Sequence, residues 1–229
     1  MLDHIVVPSE IFEKFPEYSV ALLEVRGVQG GPSNDYSEKL LLHAEQVTQE
    51  LLTTTSLDEV PEVKTWRAAF ESFGVKPRVA RSSCEALMRR ADKGLPRIDL
   101  LTDIYNAISV IHRIPIGGEN LDAYVGPARL VLATGTETFD TRENGDTVMQ
   151  HPEPGEVVWR DDMGVTCRRW NWRQCVRTRL DEHATSILFI LDGLGHDSVE
   201  AASSAADQLS AEVRSCWPEA EISARTISA

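Results

Sequence analysis

Seven residues of types that bind small polar ligands lie within one short stretch of the sequence: Asn106, Ser109, Gly117, Gly118, Glu119, Asn120 and Asp122. A site that stabilises a developing oxyanion needs preorganised hydrogen-bond donors and a pocket for the ligand, but no protein nucleophile. The backbone N–H groups of Gly117 and Gly118 can be such donors, because glycine lets a ligand approach the chain closely. The neighbouring carboxylates and amides can hold an amino group. We therefore predict a substrate-binding site formed by these seven residues.

Each of these residues also has a structural interpretation, and the sequence leaves both open. Asn106 and Ser109 fit the solvated stripe of an amphipathic helix, and the two glycines fit a turn. Glu119 fits an exposed position, and Asp122 fits a turn cap. The six histidines and four cysteines show no spacing typical of a metal site, and no covalent-catalysis signature is present. We predict no metal and no cofactor, and assign no catalytic residue.

Positive charge is concentrated in two windows of an otherwise acidic chain. The net charge is −13, but residues 76–97 include seven basic and two acidic residues. Residues 160–179 include six basic and two acidic residues. Arginine binds phosphate through two N–H groups and stacks on bases, and the second window interleaves Arg with Trp. This pattern predicts an RNA-binding surface formed by Arg81, Arg89, Arg90, Arg168, Arg169, Asn171 and Arg173. The alternative is a sheet with core Trp residues and Arg residues on its outer face.

The elements that position these residues follow from hydrophobic periodicity. A clear helix is predicted over residues 99–112, and it carries Asn106 and Ser109. Residues 114–124 are too rich in glycine and polar residues to be regular. Residues 165–172 are predicted as a strand in which Trp170 and Trp172 share one face.

Two further patterns complete the prediction of elements. A capping box at Ser82 and Glu85 starts a helix that is expected to end near Lys93. The C-terminal part is predicted as a β-α-β unit, with a strand over 185–191, a helix over 198–217 and a strand over 221–227. Strands and helices are mixed without strict alternation, which favours an α+β class with a mixed sheet and packed helices. No linker divides the chain, so we predict one domain over 1–229.

Length and composition exclude other classes. The chain has 229 residues, of which 42% are hydrophobic and 26% charged, values typical of a globular protein. The longest apolar run has five residues, too few for a membrane span, so no membrane association is expected. The acidic balance argues against coating of nucleic acid, and DNA is not an expected partner. The cysteine usage and the lack of a signal-peptide pattern predict a cytoplasmic protein. The sequence leaves homo-oligomer formation open.

Several blocks of the sequence, in order and spacing, resemble the B3/B4 domain of the phenylalanyl-tRNA synthetase β subunit. The resemblance is strongest over residues 60–195. The blocks are Trp66-Arg67 with Phe73-Gly74, Arg81-Ser82-Ser83 with residues 85–90, residues 95–106, Ile114-Pro115-Ile116-Gly117-Gly118 with Leu121-Asp122, Gly155-Glu156-Val157-Val158, and residues 168–173.

The resemblance implies that the chain forms a stand-alone B3/B4-like body. In the synthetase this domain hydrolyses tyrosine wrongly attached to the phenylalanine tRNA. The chain is therefore expected to bind the aminoacylated 3′ end of tRNA and to deacylate mischarged tRNA in trans with a bound water. The alternative is a non-catalytic module for tRNA or an amino acid. Residues 115–122 lack the synthetase's histidine, and residues 185–190 lack its acidic residue, so the resemblance does not extend to tyrosine recognition.

Overall fold

The computed structural model describes residues 1–181 and 183–229. These residues form six α-helices: α1 Ser9–Lys14, α2 Asp35–Thr54, α3 Pro61–Ser72, α4 Ser83–Met88, α5 Leu100–His112 and α6 Ser198–Cys216. They also form ten strands: β1 Tyr18–Arg26, β2 Ile116–Asn120, β3 Arg129–Leu132, β4 Phe139–Glu143, β5 Asp146–Gln150, β6 Val157–Arg160, β7 Val165–Arg168, β8 Arg173–Gln174, β9 Ser186–Leu194 and β10 Glu221–Ser228. The predicted α+β class is confirmed.

Four strands form a central sheet in the order β10-β1-β9-β2. Nearly every residue of β1 and β9 is buried, as expected for apolar strands covered on both faces. Because successive side chains of a strand point to opposite faces, Ala21 and Leu23 pack with residues of α5 and α6, whereas Val20 and Leu22 face away from them. The central sheet therefore has one face covered by helices.

The other face of the central sheet shares its apolar core with a second sheet of order β3-β6-β7-β8. This core includes Trp66 from α3, Trp159 from β6 and Trp170, together with Leu188 and Ile190 of β9. Strands β4 and β5 form a separate hairpin. The candidate ligand site described below lies where the core between the two sheets becomes polar.

Helix α5 is buried over residues 101–110, including its polar side chains. Its N-cap is Asp99, whose carboxylate accepts a hydrogen bond from the Thr102 backbone N–H at 2.7 Å. The buried Asp103 carboxylate accepts hydrogen bonds from Ser37 Oγ at 3.0 Å and from the Ile98 N–H at 2.8 Å. The polar stripe predicted for this helix is therefore not solvated, because its members have partners or a cavity inside the protein.

The predicted C-terminal β-α-β unit consists of β9, α6 and β10. Both strands pair with β1 in the antiparallel sense, so they run parallel to each other with β1 between them. Every ladder between the described strands is antiparallel, where the sequence predicts a mixed sheet. Among the described residues, no helix is both long and apolar enough to cross a membrane.

Three local predictions are wrong. Residues 114–124 contain strand β2, because backbone pairing with β9 overrides the low strand propensity of its glycines. The strand predicted over 165–172 ends at Arg168, because the next two residues have φ angles of 47° and 66°. Helix α4 ends at Met88, and the chain continues in turns through Lys93.

Candidate functional site

A cavity of about 140 Å³ lies between the central sheet and the second sheet. It is lined by two carboxylates, three side-chain amides, one guanidinium group and several aromatic rings. The main lining residues are Ser83, Tyr105, Asn106, Gly117, Glu119, Trp159, Cys167, Trp170, Asn171, Trp172, Arg173, Gln174 and Asp192. The structure thus brings together five residues that the sequence predicts as site residues: Asn106, Gly117, Glu119, Asn171 and Arg173.

The alternation of side chains along β9 and β2 decides which residues reach this cavity. Asp192 has the same parity as Leu188 and Ile190, which face the core between the sheets. On β2, Gly117 pairs with Ile190 and Glu119 pairs with Leu188, and directly paired residues point to the same face. Glu119 and Asp192 therefore face the cavity from neighbouring strands.

Asp192 is surrounded by neutral hydrogen-bond donors. Tyr18 Oη donates to Oδ1 at 2.7 Å, and Asn171 Nδ2 donates to Oδ2 at 3.4 Å. The indole N–H groups of Trp159 and Trp170 also favour the ionised form, although neither has full hydrogen-bond geometry. Burial outweighs these donors and raises the pKa of Asp192 to about 6.

Glu119 is 1% exposed and is held by hydroxyl groups. Tyr124 Oη donates a hydrogen bond to its carboxylate. Burial raises the pKa of Glu119 to about 7, while Tyr124, Thr178 and Thr166 act in the opposite direction. A carboxyl group with this pKa can both accept and release a proton near neutral pH.

Residues 169–172 form a turn that presents Asn171 to the cavity. Arg169 and Trp170 both have positive φ, a conformation that is costly for residues other than glycine and that persists only where packing enforces it. Trp170 is fully buried, and its ring contacts those of Phe15, Tyr18 and Trp66 edge-on. This packing holds the turn in place.

Several polar atoms on the cavity wall have no hydrogen-bond partner among the described residues. Those fully shielded from solvent are Ser83 Oγ, Trp159 Nε1, Trp170 Nε1 and Asn171 Oδ1. The amide of Asn106, a residue that is 8% exposed, also has no side-chain hydrogen bond within the described chain. Buried polar groups are normally paired, so the Asn106 amide, which is not among the fully shielded atoms, is suited to bind a polar ligand.

Positive charge lies at the edge of the cavity, around Trp172. The Cζ atoms of Arg169 and Arg173 lie 4.2 and 4.4 Å from the centre of the Trp172 ring. Arg173 is exposed and forms no ion pair with a described residue, and the nearest carboxylate contact of Arg169, to Glu156, is 4.0 Å long. These two guanidinium groups therefore keep most of their capacity to bind an anion.

The other predicted substrate-binding residues lie outside the cavity lining. The buried Ser109 hydroxyl donates to the Ile114 carbonyl at 2.6 Å. Gly118 lies on the opposite face of β2, where a Cβ would meet Leu180, Phe189 and Tyr105. The predicted site residues Asn120 and Asp122 belong to a turn, in which Asn120 Oδ1 accepts a hydrogen bond from the N–H of the exposed Asp122.

The remaining predicted RNA-binding arginines have different surroundings. Arg168 is buried and forms a bidentate ion pair with Glu156, at 2.9 and 2.7 Å. Arg81 and Arg89 approach the buried carboxylate of Glu85, at 3.4 and 2.9 Å. Arg90 is exposed. Arg168 is therefore committed to the interior, whereas Arg81, Arg89 and Arg90 lie at or near the surface.

Sequence reasoning missed Asp192 as a site residue. The apolar run before it identifies a buried strand, and the parity shared with Leu188 and Ile190 was the signal that its carboxylate points inward. Ser83 was also not predicted as a site residue; the cap of α4 is Ser82, as predicted, and it accepts a hydrogen bond from the Glu85 N–H. Among the described residues, no group of three or more His, Cys, Asp or Glu is arranged to hold a metal ion.

Comparisons with known proteins identify the family. The family model of the B3/4 domain matches residues 65–215, more than half of the chain. A crystal structure of an N-terminal fragment of the phenylalanyl-tRNA synthetase beta-subunit from Pyrococcus horikoshii is similar, with 11% identity and a TM-score of 0.41. The similarity covers 95% of this chain and 49% of that chain, so this chain spans about half of that fragment. No curated protein matches the sequence. The chain belongs to the B3/4 domain family.

Proposed function

We propose that the chain binds the aminoacylated 3′ end of tRNA and hydrolyses the ester of a mischarged amino acid in trans. The observation that carries this proposal is the arrangement of charge around the cavity. Two carboxylates that form no ion pair with a described residue face its interior, and two weakly paired guanidinium groups lie at its edge. An aminoacyl-tRNA has the complementary arrangement, with an ammonium group on the amino acid and phosphates beyond the ribose.

The interior carboxylates support an ammonium-bearing ligand. Neither Glu119 nor Asp192 forms an ion pair with a described residue, and their hydrogen-bond partners are hydroxyl and amide groups. A buried carboxylate without a cation is costly, and a ligand ammonium group offsets that cost. We assign ammonium binding to Asp192, because the donors around it hold its carboxylate in one orientation.

The arginines at the edge support a nucleic-acid partner. Guanidinium groups bind phosphate and stack on bases, and Arg169 and Arg173 already stack on Trp172. A free amino acid has a carboxylate for these cations, but it has no base to stack on the planar layer of Arg169, Trp172 and Arg173.

The reaction follows from the groups on the cavity wall. The oxygen of a bound water attacks the ester carbonyl carbon, and Glu119 accepts the proton that this water loses. The bond from the carbonyl carbon to the ribose oxygen then breaks, and Glu119 returns the proton to that oxygen, which leaves as a hydroxyl group. The amide of Asn106, which has no side-chain hydrogen bond to a described residue, donates to the oxyanion in the intermediate.

A deacylation assay tests this function. Purified protein is mixed with tRNAs charged with a panel of amino acids, with and without a chelator. We expect selective release that the chelator does not change, and a loss of about 100-fold in single-turnover rate for Glu119→Gln or Asn106→Ala. Asp122→Asn is the matched control, because this carboxylate is exposed and outside the cavity. Unchanged rates in both cavity variants would refute the assignment.

A binding assay separates catalysis from recognition. We expect Arg173→Ala to weaken tRNA binding and to lower the slope of log affinity against log salt concentration by nearly one. Arg142→Ala, in the β4–β5 hairpin, should leave both the affinity and this slope unchanged. If binding to tRNA persists but no charged tRNA is hydrolysed, the non-catalytic binding module replaces the enzyme as the best function.

A further inference from the structure

We propose that the side-chain oxygen of Gln174 binds the free hydroxyl group of the terminal ribose of tRNA. The amino acid is esterified to one of two neighbouring ribose hydroxyl groups, and the other remains free. This inference rests on the proposed function and names the part of the tRNA that the cavity wall recognises. It is drawn from a hydrogen-bond acceptor that lines the cavity, is accessible and has no partner within the described chain.

The side-chain oxygen of Gln174 is open to a ligand. Gln174 is half-buried and lines the cavity, and its Oε1 makes no hydrogen bond with a described residue. Unlike Asn171 Oδ1 on the same wall, Gln174 Oε1 is not one of the unpartnered atoms that are fully shielded from solvent. A donor group in the cavity can therefore reach it.

Strand β2 fixes the orientation of the Gln174 amide. Nε2 donates to the Gly118 carbonyl oxygen at 2.9 Å, and because that oxygen can only accept, Oε1 is the amide atom that remains free. Gly117 permits this approach, since a Cβ there would lie 3.3 Å from Nε2 and would push the amide away. The acceptor is thus held in place before a ligand arrives, which lowers the entropy cost of binding.

Gln174 connects the edge of the cavity to its interior. Its backbone follows that of Arg173 in β8, and it pairs with Cys167, which also lines the cavity. Its amide reaches across to Gly118, the residue that precedes Glu119 on β2. Gln174 therefore lies between the cations assigned to the nucleic acid and the carboxylate assigned to the ester.

The ribose of a bound aminoacyl-tRNA occupies the same intermediate position. It joins the phosphates and the base to the ester, and Glu119 returns a proton to the ribose oxygen that leaves. The free hydroxyl group is on the neighbouring carbon, so it lies next to that oxygen and can donate to Gln174 Oε1. A pair of neighbouring hydroxyl groups is present in RNA and absent from DNA, so this contact makes the site selective for an RNA end.

Binding of uncharged RNA tests this contact without hydrolysis. The probes are three RNA hairpins that copy the acceptor arm of tRNA and end in a normal ribose, a 2′-deoxyribose or a 3′-deoxyribose. We expect the full chain to bind the normal end about three- to tenfold more tightly than at least one of the deoxy ends.

Variants of Gln174 show whether this residue causes the difference. Gln174→Ala should bind the normal end as weakly as the wild type binds that deoxy end, and should bind the deoxy end with unchanged affinity. Gln174→Met, which keeps the length of the side chain, has the same expectation. Gln46→Ala is the matched control, because this exposed glutamine lies on α2 and bonds only Glu50, so the wild-type difference should persist.

Three outcomes would overturn the proposal and leave the proposed function in place. The wild type binds all three ends equally, the difference between ends persists in both Gln174 variants, or these variants weaken all three ends by the same factor. The last result is the effect of a general disturbance of the site and not of a lost contact. Binding of none of the hairpins by the wild type would instead refute the proposed recognition of tRNA, and this proposal with it.

Discussion

Tyr18 and Asp192 are joined by a 2.7 Å hydrogen bond between residues that are 174 positions apart in the chain. Tyr18 begins the central strand β1, and Asp192 lies near the end of β9. The same tyrosine ring packs edge-on against Trp170. The carboxylate that faces the cavity is thus oriented from the apolar core.

Replacing Tyr18 by Phe tests this relationship. The variant keeps the ring packing but removes the donor, so the free energy of unfolding should fall by about 1 to 3 kcal/mol, as measured by urea denaturation. Tyr36→Phe is the matched control, because its hydroxyl bonds a partly buried Glu212 on a helix surface, and it should cost about 1 kcal/mol or less. Equal losses in the two variants would contradict a special role for the Tyr18 hydroxyl.

Stability should depend on pH through Glu119. Its pKa is about 7 in the folded protein and is ordinarily 4.5, so the folded state binds the proton more tightly than the unfolded chain. Stability therefore declines as the pH rises from about 4.5 to about 7 and levels off above, by roughly 1.4 kcal/mol per unit of pKa difference. Glu119→Gln should flatten this decline in urea titrations.

Asp192 also makes stability decline as the pH rises, but at lower pH, because its pKa is raised from 3.8 to about 6 in the folded protein. The flattening in Glu119→Gln should therefore be most evident between about pH 6 and pH 7. Asp122→Asn should leave the wild-type profile unchanged. A Glu119→Gln profile that still falls as steeply as the wild type there would contradict the prediction.

Arg168 should contribute to the stability of the folded chain and should not contact RNA directly. Arg168→Ala leaves the carboxylate of Glu156, which is 2% exposed, without its bidentate partner. We expect a loss of about 3 to 5 kcal/mol in the free energy of unfolding. Arg173→Ala, at an exposed position nearby, should change it by about 0.5 kcal/mol or less. Comparable losses would show that the buried pair is not a stabilising contact of this kind.

Gly193 should be intolerant of a side chain. A Cβ at this position would lie 2.5 Å from the Ser198 carbonyl oxygen and 2.9 Å from Ser19 Oγ, so the start of α6 would have to shift. Gly193→Ala should lower the melting temperature, with a cost of about 1 to 3 kcal/mol. Gly31→Ala is the control, because its Cβ would meet nothing within 4 Å. Unaltered melting of Gly193→Ala would show that this backbone adjusts freely.

The sequence predicts the regular elements well where hydrophobic periodicity is strong. The apolar positions within residues 99–112 predict α5 to within one residue. They do not show that the polar side of α5 is also buried, because burial on all sides depends on elements distant in the chain. Residues 116–120 lack any strand signal of their own, and they become a strand only through pairing with β9.

The candidate site was predictable in part. Asn106, Glu119 and Asn171 carry donor and acceptor groups that suggest ligand binding from residue type alone. Their convergence with Asp192 depends on the register of β2 on β9 and on the positive φ angles at the start of the 169–172 turn. Neither feature follows from local sequence, since a strand through residue 172 would place Asn171 on the outer face.

The position of β1 in the sheet sets the order in which the molecule can be assembled. Residues 18–26 are synthesised well before their partners, which are residues 186–194 and 221–228. The central sheet therefore closes only after residues 221–228 have been synthesised, and such long-range pairing makes folding slow. The segment matched by the family model, residues 65–215, contains β9 without β1 or β10. When expressed alone, it would expose a nine-residue apolar edge and is expected to aggregate.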